Sequence, residues 1–176
     1  MTEPSAFPRI RRPDRLSEAD VDGLARVLLD CVEGGASVSF MAPFDFERAR
    51  GFFEKVAADV ARGTRLVLIA DDEDGVAGTV QLILDLPENQ PHRADLAKML
   101  VHRRARGRGI GDALLDRVET EALRVGRPLL VLDTGSAAAA KLYERHGWVK
   151  VGTVPEFALW PEGGFCDTTF YYRRLA

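Results

Sequence analysis

The middle of the chain contains a strand–helix–strand unit that restricts the folds open to it. Arg93–Val101 alternates enough to form a strand, and Gly107–Gly111 opens an amphipathic helix that ends at Gly126. Leu129–Asp133 then forms a second, apolar strand. Strands joined by a helix in this way lie parallel, with a right-handed crossover. The unit therefore predicts an α/β domain.

The flanking segments predict a mixed sheet around this unit. Apolar periodicity and turn residues give five more strands, at Phe7–Arg11, Arg65–Ala70, Val76–Leu86, Trp148–Val154 and Thr168–Tyr172. Three further helices are expected, one capped by Ser17 and ending at Gly34, one over Phe44–Arg62 and one over Ala137–His146. The predicted fold thus has about seven mostly antiparallel strands, four flanking helices and one parallel crossover.

Length and charge exclude several classes of protein. The 176 residues predict one domain over 1–176, and 24 Lys and Arg against 27 Asp and Glu argue against a dedicated nucleic-acid binder. No apolar run reaches the ~20 residues that cross a bilayer, and the polar start is unlike a secretory signal. Cys31 and Cys166 suit neither a disulfide framework nor a zinc site. We therefore expect a cytoplasmic protein without a metal, nucleic-acid or membrane partner.

The turn before the central helix is the most informative segment. It interleaves glycines at 107, 109 and 111 with arginines at 103, 104, 106 and 108. Glycine allows left-handed backbone and close approach to a ligand, while the free N–H groups at a helix start attract anions. Guanidinium groups add positive charge and paired donors. The segment predicts a phosphate or pyrophosphate site, with a flexible basic loop as the alternative.

Two other phosphate-binding motifs compete for this segment. A P-loop requires Gly-Lys-Ser/Thr, whereas Asp112 follows Gly111. A dinucleotide-binding motif remains open, because Gly107 and Gly109 follow a strand and Asp133 ends the next one. The arginine-rich turn, the missing third glycine and the short remaining chain weaken that alternative.

A third interpretation comes from two ordered motifs. Arg104-Ala-Arg-Gly107-Arg-Gly109 and Ala139-x-x-Leu142-Tyr143-x-x-x-Gly147-Trp148 resemble the two signatures of the GNAT N-acetyltransferases. The element order is similar to that family from about residue 8 to 174. The segment from His92 to Val101, Leu132-Asp-Thr134 and the C-terminal tail resemble the narrower group of tabtoxin resistance protein-like small-molecule acetyltransferases.

This resemblance implies a GNAT fold in which acetyl-CoA lies in a V between the fourth and fifth strands. It assigns the diphosphate to the turn formed by residues 103–111, called the Arg/Gly turn below, and the pantetheine arm to the backbone of the fourth strand. Many family members carry asparagine where this chain has Ser136. The implied coenzyme-binding residues are Leu100, Val101, Arg104, Arg106, Gly107, Arg108, Gly109, Ile110, Gly111 and Ser136.

Three residues are the candidates for catalysis. Tyr143 occupies the family's position for the group that protonates the departing thiolate; the alternative is a core aromatic. Asp95 is the first choice of base, because strand alternation places it on one face with Met99 and Val101. Asp133 ends the parallel strand, where α/β sheets bind ligands, and could share this task. Surface and capping roles are the alternatives for the two acids, and the three histidines are weaker candidate bases.

The least regular segments are expected to select the substrate. Candidate contacts are Ser37 and Phe40 in one segment and Phe157 and Trp160 in another, with simple packing as the alternative for the aromatic residues. We expect transfer of an acetyl group to the primary amine of a small molecule, such as a cationic amine or an amino acid derivative. A non-catalytic acyl-CoA-binding module, a nicotinamide-nucleotide domain and a protein-lysine or N-terminal acetyltransferase are the alternatives. The oligomeric state is open, with a homodimer as one option.

Overall fold

Residues 8–176 are described by a computed structural model, in which one mixed sheet carries helices on both faces. The strands are β1 (Arg9–Arg11), β2 (Arg65–Asp72), β3 (Gly75–Ile83), β4 (Arg93–Val101), β5 (Leu129–Thr134), β6 (Val149–Leu159) and β7 (Phe165–Arg174). The helices are α1 (Glu18–Glu33), α2 (Phe46–Ala61), α3 (Ile110–Arg124) and α4 (Ala137–Arg145). Phe7, which the sequence placed in the first strand, lies outside the described residues.

The strand order is β1-β2-β3-β4-β5-β7-β6, and β4 with β5 forms the parallel pair of the described sheet. Every other neighbouring pair is antiparallel. The predicted mixed α/β fold with one crossover is confirmed. The dinucleotide-binding alternative is wrong, because it requires a mainly parallel, doubly wound sheet.

The two parallel strands diverge soon after they meet. Their register joins Arg93–Asp95 to Leu129–Val131 and then stops. Beyond this point neither strand contributes a hydrogen-bonded partner to the other. The β5-facing edge of β4 from Leu96 onward is therefore available to an extended ligand.

Two hydrophobic cores hold the helices on the sheet. One core includes the buried stripe of α1, and the other includes that of α3. Both stripes include the residues that helical spacing predicted: Val21, Leu24, Val27, Leu28 and Cys31 in α1, and Ile110, Leu114, Leu115, Val118 and Ala122 in α3. Within the described chain, no helix is both long and apolar enough to cross a membrane.

Several predicted boundaries need correction. Helix α2 begins at Phe46, because Asp45 caps it by accepting a hydrogen bond from the Arg48 N–H, and β3 ends at Ile83 rather than Leu86. Strand β6 continues five residues beyond the predicted end at Val154, although Pro155 follows. Proline is tolerated there because β6 is an edge strand and its register shifts between Val154 and Ala158.

Glu121 joins the N-terminal segment to α3 through a buried carboxylate. It is 1% exposed and accepts hydrogen bonds from Arg12, Arg117 and Arg124 at 2.8 to 2.9 Å. Burial alone would raise the pKa of this carboxyl, but the bonds from Arg117 and Arg12 outweigh it, so the pKa lies below the ordinary 4.5. A carboxyl whose pKa is lowered by folding stabilises the folded state at pH values above its pKa in the unfolded chain.

Replacing Glu121 with glutamine is expected to lower the free energy of unfolding at pH 7 by about 1–3 kcal/mol, because the charged bonds are lost. Urea denaturation of both proteins measures this difference. The gap between wild type and Glu121→Gln should narrow as the pH falls below 4.5, since the wild-type carboxylate then becomes protonated. A gap that stays constant into acid would contradict the assignment.

Candidate active site

A cavity of about 1220 Å³ lies where β4 and β5 diverge. Its walls come from the loop after α1, the second half of β4, the Arg/Gly turn with the start of α3, the end of β5, α4, and the adjoining ends of β6 and β7. Of the predicted site residues, the lining includes Ser37, Phe40, Leu100, Val101, Arg106, Gly107, Gly109, Ile110, Gly111, Asp133, Ser136, Tyr143, Phe157 and Trp160. Asp95, Arg104 and Arg108 are absent from it.

The Arg/Gly turn presents free amides to this cavity. Gly107 and Gly109 both have a φ of 75°, and Gly109 starts α3 without a side-chain cap. Within residues 8–176, the amides of Gly107, Gly109, Ile110 and Gly111 have no hydrogen-bond acceptor. Left-handed glycines followed by a helix start form an anion-binding nest. The turn therefore fits a diphosphate.

The arginines of the turn have different tasks. Arg104 and Arg108 bind the carboxylate of Asp72 at 2.6 and 3.0 Å, which ties the turn to the β2–β3 hairpin. Arg106 lines the cavity, and its Nε donates to the Val101 carbonyl at 3.1 Å. Of the arginines in the turn, only Arg106 thus lines the cavity, while Arg104 and Arg108 connect the turn to Asp72.

Asp112 does not leave an unbalanced charge beside the anion nest. Its two carboxylate oxygens accept hydrogen bonds from Arg145, each at 2.9 Å, and one oxygen lies 2.9 Å from Nε2 of His146. The bond with His146, followed by that with Arg145, holds the pKa of this carboxyl below its usual range. Arg145 therefore balances the carboxylate electrostatically, which reduces repulsion of a phosphate.

Tyr143 combines burial with an unused hydroxyl. The side chain is 4% exposed, and its ring packs against Trp148 and Tyr171 at centroid distances of 5.5 and 6.1 Å. In the described part of the chain, its hydroxyl has no hydrogen-bond partner. Burial and the negative charge of Asp133 raise the pKa of Tyr143 well above its usual value. The phenol therefore remains protonated and can donate a hydrogen bond into the cavity.

The two candidate acids lie in different surroundings. Asp133 lines the cavity and accepts a 2.7 Å hydrogen bond from the hydroxyl of Thr168. Asp95 lies where β4 and β5 still pair, and its carboxylate is bound to Arg93. The structure thus brings Asp133, but not Asp95, to the cavity with Tyr143.

The expectation that Asp95 shares a face with Met99 and Val101 is wrong. The register of β3 and β4 shifts between Thr79 and Gln81, and Lys98 has a φ of 51°. This bulge reverses the alternation along β4. Before the bulge, Leu96 belongs to the core under α3; after it, Leu100 belongs to the core under α1, while Met99 and Val101 pack under α3.

The same bulge places Lys98 in the cavity wall, a position that sequence reasoning missed. Its ammonium donates to the hydroxyl of Ser39 at 3.1 Å and lies 5.6 Å from the ring centroid of Phe52. Burial, then the charge of Arg65, lower the pKa of Lys98, while Asp133 opposes them. In the sequence, Lys98 is one polar residue within a strand pattern, and nothing in that pattern indicates that it lines the cavity.

The predicted substrate walls meet across the cavity. Ser37 donates a hydrogen bond to the Leu159 carbonyl at 3.1 Å, and the Ala42 amide donates to the Pro161 carbonyl at 2.9 Å. Phe40 also packs on Phe44, with centroids 4.7 Å apart, so it serves both cavity and core. The loop after α1 therefore bridges to the end of β6 and covers part of the opening.

Ser136 caps a helix, and the three histidines lie outside the cavity lining. The hydroxyl of Ser136 caps α4 by accepting from the Ala139 N–H at 3.2 Å, although the residue also lines the cavity. His92, His102 and His146 are absent from the lining. No group of three or more His, Cys, Asp or Glu residues within 8–176 is arranged to hold a metal ion.

Comparisons with known proteins agree with this geometry. Residues 63–150, half of the chain, match the acetyltransferase (GNAT) domain family. A ribosomal-protein-alanine N-acetyltransferase from Brucella melitensis is 27% identical, with a TM-score of 0.78 and coverage of 95% of this chain and 99% of that one.

Two more distant structures share the fold. A GNAT superfamily phosphinothricin acetyltransferase from Sinorhizobium meliloti, solved with acetyl-CoA, is 19% identical, with a TM-score of 0.80 and coverage of 97% and 89% of the two chains. An acetyltransferase of the GNAT family from Streptococcus pneumoniae is 22% identical, with a TM-score of 0.73 and coverage of 95% and 100%. The matched family segment contains the Arg/Gly turn, β4, β5 and Tyr143.

Proposed function

The chain belongs to the GNAT family of acetyltransferases, and on that premise we propose that it transfers an acetyl group from acetyl-CoA to the primary amine of a small molecule by direct attack in a ternary complex. The proposal depends on one observation: the free amides of Gly107, Gly109, Ile110 and Gly111 belong to residues that line the cavity between β4 and β5. The Sinorhizobium relative of the same fold was solved with acetyl-CoA.

The proposed orientation of acetyl-CoA has its diphosphate at the Arg/Gly turn and its thioester near Asp133 and Tyr143. The free amides of Gly107, Gly109 and Gly111 match the negatively charged diphosphate. The open edge of β4 up to Leu100 and Val101 offers backbone groups to the amides of the pantetheine arm, in the manner of an added strand. The thioester then lies deeper in the cavity, between Asp133 and Tyr143.

The proposed chemistry uses two side chains. Asp133 holds the substrate ammonium and accepts its proton, directly or through water, because its carboxylate lines the cavity. The neutral amine attacks the thioester carbonyl carbon, the carbon–sulfur bond breaks, and the proton that the acylated nitrogen must lose passes through water to the departing thiolate. Tyr143 donates a hydrogen bond to the departing CoA sulfur. Asp95 is second choice as base, since Arg93 already binds its carboxylate.

The bridged cavity supports a small acceptor rather than a protein segment. The contacts of Ser37 and Ala42 with the β6–β7 hairpin restrict access to the thioester. The Brucella relative is named for acetylation of a protein's alanine, so peptides remain the competing substrate.

The cytoplasmic location that the sequence analysis expects remains a prediction.

Release of CoA thiol from acetyl-CoA tests the proposal. A panel of amino acids, polyamines, aminoglycosides and peptides with N-terminal alanine should include a small amine that accelerates thiol release. Tight CoA binding without turnover of any amine would favour the acyl-CoA-binding module. Turnover of peptides alone would favour the protein acetyltransferase.

We also propose that the chain forms a homodimer through its exposed edge strand. Along β6, Val149 is 47%, Val151 67% and Phe157 52% exposed, and the neighbouring Phe165 is 65% exposed. Unpaired strand edges with apolar side chains favour association. Light scattering after size exclusion should give about twice 19.4 kDa. Val151→Lys should shift the mass toward the monomer; a wild-type monomer at every concentration would contradict the proposal.

A further inference from the structure

Lys98 is the feature of the cavity that acetyl transfer does not explain. Among the lining residues it is the one lysine, and in the described residues no carboxylate lies within 4.0 Å of its ammonium. Its hydrogen-bond partner is the neutral hydroxyl of Ser39. An ammonium has three donors, so two of them are not used by Ser39.

The two bonded residues both have an unusual backbone. Lys98 has a φ of 51° and Ser39 a φ of 82°, in a region that side-chain-bearing residues rarely adopt. Such conformations cost free energy and cluster where a side chain must be aimed at a ligand. Here they join the β4 bulge to the loop after α1 across the cavity.

Among the strands that line the cavity, β4 contributes the ammonium of Lys98, and β5 and β7 contribute the carboxylates of Asp133 and Asp167. Asp133 presents a carboxylate and Lys98 an ammonium to the same space. A substrate with only an amine would match Asp133 but leave the ammonium of Lys98 without a counter-ion. Burial and the nearby Arg65 charge, which lower the Lys98 pKa, make a second negative group favourable there.

We propose that Lys98 and Ser39 form an anion subsite that binds the carboxylate of the acceptor, so that the acceptor is an amino acid whose amine lies toward Asp133. The inference rests on the proposed acetyl transfer and adds the substrate class. Ammonium and hydroxyl donate to the carboxylate oxygens, and the two charges of the zwitterion complement Lys98 and Asp133. Lys98 thereby selects the substrate, and Asp133 and Tyr143 act on it.

Matched pairs of acceptors test the subsite. Thiol release is measured with the full chain for amino acids of different side chains and for the corresponding amino acid amides. The acid should exceed its amide by about tenfold in kcat/KM, mainly through a lower KM, since charged hydrogen bonds contribute this much. Acid and amide also differ in the basicity of the amine, so their ratio is compared between wild type and the Lys98 variants, in which that difference is constant.

Variants assign the preference to the side chain. Lys98→Met should equalise acid and amide, and Lys98→Arg should keep most of the preference. Lys55→Met, which removes an exposed lysine of α2 outside the cavity, should leave the ratio unchanged. An unchanged ratio in Lys98→Met would overturn the subsite. A lost kcat with unchanged KM in both Lys98 variants would also overturn it, in favour of a catalytic lysine.

Calorimetric titration separates failure of the subsite from failure of acetyl transfer. Amino acids are titrated into the CoA-saturated wild type and Lys98→Met, which requires no turnover. Binding that depends on Lys98 without thiol release from any amine supports the subsite and overturns the transferase. Turnover of amines without preference for the acid supports the transferase and overturns the subsite. No binding and no turnover of amino acids overturns the subsite as well.

Discussion

Tyr143→Phe is expected to lower kcat by about 10²-fold to 10³-fold, within the range of a group that assists proton transfer. The departing CoA thiolate loses its hydrogen-bond donor, whereas the ring contacts with Trp148 and Tyr171 remain. The Kd for CoA should stay within about twofold, because no ground-state contact to the diphosphate is removed. Steady-state thiol release and titration calorimetry measure the two quantities.

Thermal unfolding distinguishes this effect from a damaged fold. Because the Tyr143 hydroxyl has no hydrogen-bond partner within the described residues, its removal should not lower the melting temperature. Tyr172→Phe is the matched control, since Tyr172 lies on β7 and is absent from the cavity lining. Wild-type kcat in Tyr143→Phe would remove Tyr143 from the mechanism and leave the leaving group to water.

Gly109→Val is expected to weaken CoA binding at least about tenfold. Gly109 has a φ of 75° and a ψ of 11°, and a β-branched residue is strained in this left-handed region. The turn must then rearrange, and the amides before α3 no longer converge on the diphosphate. Calorimetric titration with CoA measures the loss.

Two controls distinguish the loss of diphosphate binding by the turn from the general strain of a valine in a left-handed conformation. Gly63→Val introduces the same residue at a φ of 73°, with no atom near the added Cβ and outside the cavity, so it should leave CoA affinity intact. S-acetyl-pantetheine lacks the diphosphate, so wild type and Gly109→Val should use it equally. A Gly109→Val protein that binds CoA as wild type does would place the diphosphate elsewhere.

Local patterns were sufficient for much of this protein. The helical stripes of α1 and α3, the capping of α1 by Ser17 and the Arg/Gly turn are encoded by neighbouring residues, because helix periodicity and caps depend on residues three or four apart. The two ordered motifs gave the family. They also placed Tyr143 and the amides of the turn in one cavity, where the structure has them.

The tertiary structure decided which polar side chains enter that cavity. Strand alternation has a period of two, so the single bulge at Lys98 turned Lys98 into the cavity and placed Asp95 on the opposite face from Val101. The edge position of β6 similarly allowed a strand to continue past Pro155. Register and edge position depend on partner strands distant in sequence, and local periodicity contains no information about them.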